Sequence, residues 1–235
     1  MAQGLASRIR REGGTPWLLP AMEIRPPADE ARARRLLAWP GAYGMVIFIS
    51  PTAVRRGLQL AGPWPKALRI FAVGGGTRAE LARHGLDATG PDAGADSEAL
   101  LQLPELRDVA GTRALLVCGE GGRDLLAETL VARGAQVERV ECYRRVLPER
   151  APAPALAAWS SGAIHAATVY SSESLANLFT LLGEREAARL RATPFFVPHA
   201  RVAEAARRRG VAEVQVAGPS DEEVLARLVA YFDVP

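Results

Sequence analysis

One stretch of the sequence, residues 112–147, predicts a complete strand, turn, helix and second strand. An apolar run at 114–117 leads into the glycine-rich turn 119–122. A helical pattern follows at 123–133 and ends at Gly134, after which the sequence is again typical of a strand. Strands that alternate with helices along the whole chain indicate parallel sheets covered by helices on both faces.

The order of the predicted elements repeats. The matched blocks, in order, are Gly13 with Gly134, residues 46–54 with 168–176, and residues 71–85 with 196–210. Three matches at nearly constant spacing favour two copies of one α/β unit. The second copy starts with the strand at 114–117, whereas only Met1–Gln3 precede the first copy. We therefore expect the first copy to lack its opening strand, either because the sequence is truncated at its amino end or because this copy has lost the strand.

Two long segments, residues 15–27 and 137–148, occupy matching positions and both end in proline. Each is predicted to run as a strand out of one domain and into the other. The predicted fold is α/β, with two similar parallel-sheet domains joined by a double crossover. The boundaries follow: a first domain at 1–20 plus 149–235, without its amino-terminal strand, a second domain at 28–141, and crossover linkers at 21–27 and 142–148.

Composition narrows the class of protein. The chain has 235 residues, of which 49% are hydrophobic and 23% charged, and this is enough to bury two cores. Its net charge is only +3, and the arginines are scattered along predicted helices, which argues against nucleic acid as a partner. No apolar run approaches about 18 residues, so neither a membrane span nor a secretion signal is expected.

Cysteine and histidine usage adds two expectations. Cys118 and Cys142 have no C-x-x-C spacing, which favours a reduced, cytoplasmic protein. The histidines, His84, His165 and His199, are scattered, so we expect no metal site.

Glycine-rich turns supply candidate anion sites. The turn of Gly74, Gly75, Gly76 and Thr77 follows a predicted strand and opens a helix, where free N–H groups can bind a carboxylate. An ordinary tight turn with a threonine cap is an equally good interpretation. The GEGG turn before Arg123 could cradle another carboxylate, although its glutamate opposes an anion.

Polar residues also follow the predicted strands. Ser50, Ser171 and Ser172 end matched strands, where ligands of open α/β sheets gather, although each could simply cap a helix. His199 and Arg201 lie in the turn that matches the Gly74 turn. They could bind an anion there or form an exposed polar surface.

The ordered set of motifs resembles uroporphyrinogen-III synthases over nearly the whole chain. The motifs are MVIFISPTAV, FAVGGGTRAELARHG, LLVCGEGGRDLLAETLVARGAQVERVECYRR, ATVYSSES and FFVPHARVAEAARRRG. The resemblance implies two similar parallel-sheet α/β domains joined by a two-stranded crossover ladder, with substrate bound in the cleft. It also implies an enzyme that needs neither cofactor nor metal. Family members usually begin with a strand ending in Arg-Pro, which this chain lacks.

The resemblance also implies a reaction. Its substrate, hydroxymethylbilane, carries an acetate and a propionate on every pyrrole. It loses its terminal hydroxyl as water and closes through a spiro intermediate that inverts the last ring. Tyr143, in the family's Tyr-Arg motif, is the expected proton donor to that hydroxyl, and the alternative is an aromatic side chain that packs a hinge strand. We expect a monomer.

Other functions remain open from the residues alone. A non-catalytic two-domain protein that closes on a small anion would have the same architecture, but it would show no turnover. A mononucleotide-binding protein is disfavoured because the Gly74 turn matches neither a Walker A loop nor G-x-G-x-x-G.

Overall fold

A computed structural model describes residues 2–65 and 67–233, with strands and helices in alternation. In chain order the elements are α1 (Ala2–Arg11), β1 (Glu23–Arg25), α2 (Glu30–Leu37), β2 (Met45–Phe48), α3 (Pro51–Leu60), β3 (Arg69–Ala72), α4 (Gly75–Arg83), α5 (Ser97–Leu101), β4 (Arg113–Gly119), α6 (Leu125–Ala132), β5 (Gln136–Val146), α7 (Ala153–Ser160), β6 (Ala167–Thr168), α8 (Ser172–Ala192), β7 (Phe195–Val197), α9 (Ala200–Arg208), β8 (Val214–Val216) and α10 (Asp221–Phe232). Short 3-10 turns lie at Pro40–Ala42 and Pro104–Leu106.

The chain divides into two compact units. The central unit is Ile24–Arg145, and the flanking unit combines Met1–Glu23 with Val146–Pro235. The chain passes between the units within β1 and β5, which are neighbours in one sheet. The fold is therefore α/β, with two parallel-sheet units joined by a two-stranded crossover.

The central unit is built on a five-stranded sheet in the order β1-β5-β4-β2-β3. The pairs β5 with β4, β4 with β2, and β2 with β3 are all parallel. All four residues of β2 are buried, as expected for a strand covered on both faces. Their apolar side chains drive the packing of helices on the two sides.

The two faces of this sheet bury different helices. One face, the α3 face, packs Val46, Phe48, Leu115 and Val117 against α2, α3 and α4. The other, the α6 face, packs strand residues such as Leu116 against α5 and α6. The helices fix where the turns between strand and helix lie.

The flanking unit has a three-stranded parallel sheet in the order β6-β7-β8. Phe195 and Val197 of β7 are fully buried among apolar residues of α8 and α9. Helix α8 is broken at Gly183, whose φ of 72° is left-handed, so it consists of two shorter helices.

The structure confirms the internal repeat. The series α1-β1-α2-β2-α3-β3-α4 corresponds element by element to α6-β5-α7-β6-α8-β7-α9. Gly13 and Gly134, matched in sequence, both follow a helix with left-handed φ values of 81° and 85°. Strand β4 precedes α6. The expected absence of a matching strand ahead of α1 concerns a position outside the described residues, which begin with α1 itself.

The long first crossover strand was predicted wrongly. Within residues 15–27 only Glu23–Arg25 forms a strand, whereas β5 extends over Gln136–Val146 as expected. Pro16 and Pro20 explain the difference, because proline cannot donate to a ladder and interrupts pairing.

In the part of the chain that the structure describes, no helix is long and apolar enough to cross a membrane.

Helix α6 provides a direct test of the packing. Leu130 is fully buried against the sheet, whereas its neighbour Val131 is 55% exposed. We expect Leu130→Ala to lower the free energy of unfolding by about 2–5 kcal/mol, because it leaves a cavity on the α6 face. The matched control, Val131→Ala, is expected to change it by less than about 0.5 kcal/mol. Urea unfolding measures both, and equal effects would contradict the assigned orientation of α6.

Candidate functional site

Four parallel strands of the central unit end at one edge of their sheet. Ser50 follows β2, Gly74 follows β3, Glu120 follows β4, and Tyr143 lies on β5 opposite the last residue of β4. In open α/β sheets ligands bind at the carboxyl ends of the strands, where helix N-termini also meet. This edge is therefore the candidate site.

Tyr143 and Ser50, two residues predicted separately, are brought together here. The Tyr143 hydroxyl lies 3.2 Å from Ser50 Oγ, within hydrogen-bond distance, and either oxygen can be the donor. Ser50 is the N-cap of α3, and its Oγ accepts the Ala53 N–H at 3.0 Å. Tyr143 is only 5% exposed, whereas Ser50 is half-buried. The pair thus has a buried phenol behind a more accessible hydroxyl.

Glu120 anchors the backbone around this pair. Its N–H donates to the Tyr143 carbonyl at 2.9 Å, and its carboxylate accepts the Ala28 N–H at 2.6 Å. The sequence suggested only that this glutamate would oppose an anion. In the structure it fixes β5 and the segment before α2 to the turn that follows β4.

The Gly74 turn has the geometry of an anion site, with one correction. Gly74 is the N-cap of α4, and Gly75 and Gly76 are exposed in its first turn. Thr77 is buried, and its N–H donates to the Gly74 carbonyl at 3.0 Å. The candidate backbone donors are therefore Gly75 and Gly76, because the first N–H groups of a helix have no acceptor in its ladder.

A buried carboxylate pairs α4, the helix that follows this turn, with α3. Glu80 of α4 is 6% exposed and pairs with Arg83 at 2.7 Å and with Arg55 of α3 at 3.3 Å. His84 Nε2 lies 3.8 Å away. Burial works against ionisation of Glu80, but the hydrogen bonds from Arg55 and Arg83 outweigh it and lower its pKa. This network fixes α4 to α3.

Arg123 lies on the other side of the sheet. It pairs with Glu98 at 3.0 Å and lines a cavity of about 180 Å³ together with Leu116, Cys118 and Arg139. Leu116 belongs to the α6 face, whereas Tyr143 packs on the α3 face. The structure does not bring Arg123 together with the Tyr143–Ser50 pair.

In the flanking unit the predicted residues follow β6 and β7. Ser171 is the N-cap of α8 and accepts the Ser174 N–H at 3.0 Å, and Ser172 is the first residue of that helix. His199 is the N-cap of α9 but makes no capping bond with its side chain, and Arg201 is exposed in the first turn. Each side chain thus lies near the carboxyl edge of the smaller sheet.

One pair at this edge was missed from the sequence. The Tyr170 hydroxyl donates to the Asp221 carboxylate at 2.9 Å. Burial first, and then the hydrogen bond and charge of Asp221, raise the pKa of Tyr170. Asp221 belongs to the first turn of α10, and the sequence indicated only its place in a capping box. The position of Tyr170 directly before a predicted site residue was the available signal.

Comparison with known proteins identifies relatives over almost the full length. A family model described as uroporphyrinogen-III synthase HemD matches residues 3–226. The uroporphyrinogen-III synthase of Salmonella typhimurium is 37% identical over 234 residues, which cover 96% of this chain and 94% of that protein. The enzyme of Escherichia coli K12 is 34% identical over 232 residues, with 95% and 93% covered.

A solved structure agrees in fold. The uroporphyrinogen-III synthetase of Helicobacter pylori 26695 superposes with a TM-score of 0.63 and covers 93% of each chain. Its sequence identity is only 12%, so this likeness concerns the fold alone.

The Glu80 network predicts a pH dependence. Because its folded pKa is lowered, Glu80 contributes stability above its unfolded pKa, near 4.5, and this contribution is lost as the pH falls through the lower folded value. We expect Glu80→Gln to cost about 1–2 kcal/mol of unfolding free energy at pH 7 and to flatten the acid loss between pH 5 and about pH 3. Urea unfolding at several pH values measures this.

An exposed glutamate provides the control for that experiment. Glu30 pairs with Arg34 on the surface of α2, and Glu30→Gln is expected to change the stability by less than about 0.5 kcal/mol. An acid loss in Glu80→Gln as steep as that of the unsubstituted chain would show that the network does not stabilise the α3–α4 pair.

Proposed function

The chain belongs to the uroporphyrinogen-III synthase family, and we propose that its Tyr143–Ser50 pair is the proton donor in the closure of hydroxymethylbilane. Family members are cyclising enzymes of tetrapyrrole biosynthesis. The observation that supports the proposal is the 3.2 Å contact between the two hydroxyls at the carboxyl edge of the central sheet.

The chemistry needs a proton at the start of the reaction. Hydroxide is a poor leaving group, so the terminal hydroxyl of the linear tetrapyrrole leaves as water once it is protonated. The cation that remains is attacked by the last ring, and the ring is inverted through the spiro intermediate. The substrate loses one water in total, so the proton that is donated at the start is replaced by one released when the macrocycle forms.

The hydroxyl pair is suited to this transfer. Ser50 Oγ already accepts the Ala53 N–H, so its own proton can point to the Tyr143 oxygen or to substrate. The half-buried Ser50 hydroxyl protonates the leaving group while Tyr143 gives its proton to Ser50. The transient phenolate then accepts a hydrogen bond from Ser50, and the proton released at closure restores the phenol.

Positioning of the substrate determines which isomer of the product forms. Spontaneous closure gives the uninverted type I isomer, so the protein has to hold the last ring in the geometry of the spiro intermediate. The N–H groups of Gly75 and Gly76 at the start of α4 bind a substrate carboxylate, and Thr77 fixes that turn.

Other carboxylates of the substrate are proposed to bind residues outside the Tyr143–Ser50 pair. We propose Ser171, Ser172, His199 and Arg201 as contacts of the flanking unit, because they follow β6 and β7 as the Gly74 turn follows β3. Arg123 is the proposed contact on the α6 face, where binding has to compete with its pairing to Glu98.

The proposal also covers the domain boundaries, the cellular compartment and the oligomeric state of the protein. The two domains of the enzyme are residues 28–141 and residues 1–20 with 149–235, joined by linkers at 21–27 and 142–148. The enzyme acts as a cytoplasmic monomer, and its partner is the small-molecule substrate. The buried, unpaired thiols of Cys118 and Cys142 support a reducing compartment.

Removal of the phenol oxygen tests the proton donor. We expect Tyr143→Phe to lower kcat by roughly 10- to 100-fold with little change in KM, because the ring still packs but the proton source is lost. The product should remain largely type III, since the positioning contacts are intact. The assay generates hydroxymethylbilane in situ and separates the oxidised type I and type III porphyrins.

A second buried tyrosine is the matched control. Tyr43 precedes β2 and lies at the opposite edge of the same sheet, so Tyr43→Phe is expected to keep the unsubstituted kcat. An unchanged kcat in Tyr143→Phe would contradict the proposed donor. Type I product alone from the folded, unsubstituted chain would favour a non-catalytic binding protein.

The anion turn can be tested by deleting one backbone donor. Gly75 is the first residue of α4 and follows the extended Gly74, so proline is compatible with this position, and an added Cβ meets nothing within 4 Å. We expect Gly75→Pro to raise KM for hydroxymethylbilane about tenfold, because a hydrogen bond to a charged group is lost. Steady-state kinetics measure the change.

Gly75→Ala separates the donor from the shape of the turn. Alanine adds the same Cβ but keeps the N–H, so its KM is expected to stay within about twofold of the unsubstituted value. Equal KM values for the proline and alanine variants would show that this N–H does not contact the substrate.

A further inference from the structure

The last residue of β4 lies directly against the ring of Tyr143. A Cβ placed on Gly119 would lie 2.5 Å from Tyr143 Cζ, 2.7 Å from Cε2 and 2.9 Å from the hydroxyl oxygen. These separations are far below van der Waals contact, so any side chain at position 119 has to displace the ring. Because the ring is rigid and the backbone of Tyr143 is paired, the ring makes room for an added group only by moving as a whole.

The backbone conformation at position 119 does not itself require glycine. The described glycines with left-handed φ include Gly121 in the same turn but not Gly119. A residue in an ordinary φ region can be any amino acid as far as the backbone is concerned. The requirement for glycine at this position therefore comes from the neighbouring ring.

A bulge in β5 explains why the ring points this way. Cys118 pairs with Glu141, but the next residue of β4, Gly119, pairs with Tyr143, so Cys142 is the extra residue. Side chains alternate between the faces of a regular strand, so Tyr143 would face away from Cys142. The bulge places both side chains in the core of the α3 face.

Contacts on both sides hold the bulge. Cys142 Sγ lies 3.2 Å from the Cys118 carbonyl oxygen, and the Glu120 N–H donates to the Tyr143 carbonyl. The backbone of Tyr143 is thereby fixed, and its ring is confined between Gly119 and Ser50. The position of the phenol oxygen then depends on the space that Gly119 leaves.

We propose that Gly119 is a positioning residue for the reaction: its missing side chain lets the Tyr143 hydroxyl reach Ser50. The inference rests on the proposed proton donor, because Gly119 acts only through the Tyr143 hydroxyl. An added methyl group moves the ring, breaks the contact between the hydroxyls and lowers kcat without weakening carboxylate binding.

A double-mutant cycle tests this coupling. We expect Gly119→Ala to lower kcat at least tenfold in the unsubstituted chain but less than about twofold in a Tyr143→Phe background, with KM within about twofold throughout. In a crystal structure of Gly119→Ala, the distance from the Tyr143 hydroxyl to Ser50 Oγ should exceed 3.5 Å.

Gly44→Ala is the matched control for steric strain. Its added Cβ would lie 3.0 Å from Thr112 Cγ2 at the other edge of the same sheet, far from Tyr143. It should lose stability but keep its kcat. A kcat loss in Gly44→Ala as large as that in Gly119→Ala would overturn the inference, because strain alone would then explain the effect.

A stability measurement tests the steric part even if Gly119→Ala folds poorly. In Gly119→Ala/Tyr143→Ala no ring remains to collide, so this variant should have the same Tm as Tyr143→Ala, within about 2 °C. A clearly lower Tm would overturn the inference, because the alanine would then collide with something other than the ring.

The kinetic outcomes separate this inference from the proposed function. An unchanged kcat in Tyr143→Phe alone would overturn the proton donor and, with it, the role of Gly119. A loss in Tyr143→Phe together with equal losses from Gly119→Ala in both backgrounds would overturn only the role of Gly119.

Discussion

The parallel alignment of β2, β3, β4 and β5 is the constraint on which the candidate site depends. Because these strands run in one direction, all of their carboxyl ends meet at the same edge, and the turns into α3, α4 and α6 meet there as well. The alignment itself follows from burial. Strands that are apolar on both faces need helices on both sides, and helical crossovers make neighbouring strands parallel.

The proposed site at this edge consists of common local features whose relative positions are fixed by packing. A serine cap, two glycine N–H groups and a tyrosine are each common in α/β proteins. In the proposed site, two contacts fix their separations: buried Glu80 pairs α4 with α3, and the Glu120 N–H joins the turn after β4 to β5. Catalysis that consists mainly of positioning depends on such rigidity, since small displacements of a proton donor are costly in rate.

Much of the fold was predictable from the sequence, but the geometry of the site was less so. Apolar runs, cap residues and glycines locate most elements, and ordered motifs indicate the family. The Tyr143–Ser50 contact was not predictable, because it depends on a one-residue bulge at Cys142 that leaves no trace in residue periodicity. The pairing of Glu80 across two helices and the placement of Arg123 on the opposite face also depend on tertiary packing, which local patterns do not encode.

We propose that the substrate reacts at the carboxyl edge of the central sheet. A crystal structure with uroporphyrinogen III bound under anaerobic conditions tests it most directly. We expect a product carboxylate within hydrogen-bond distance of the Gly75 and Gly76 N–H groups, and the Ser50 hydroxyl against a bridging carbon of the inverted ring. A tetrapyrrole bound away from this edge, with no contact to Ser50, Tyr143 or the start of α4, would contradict it.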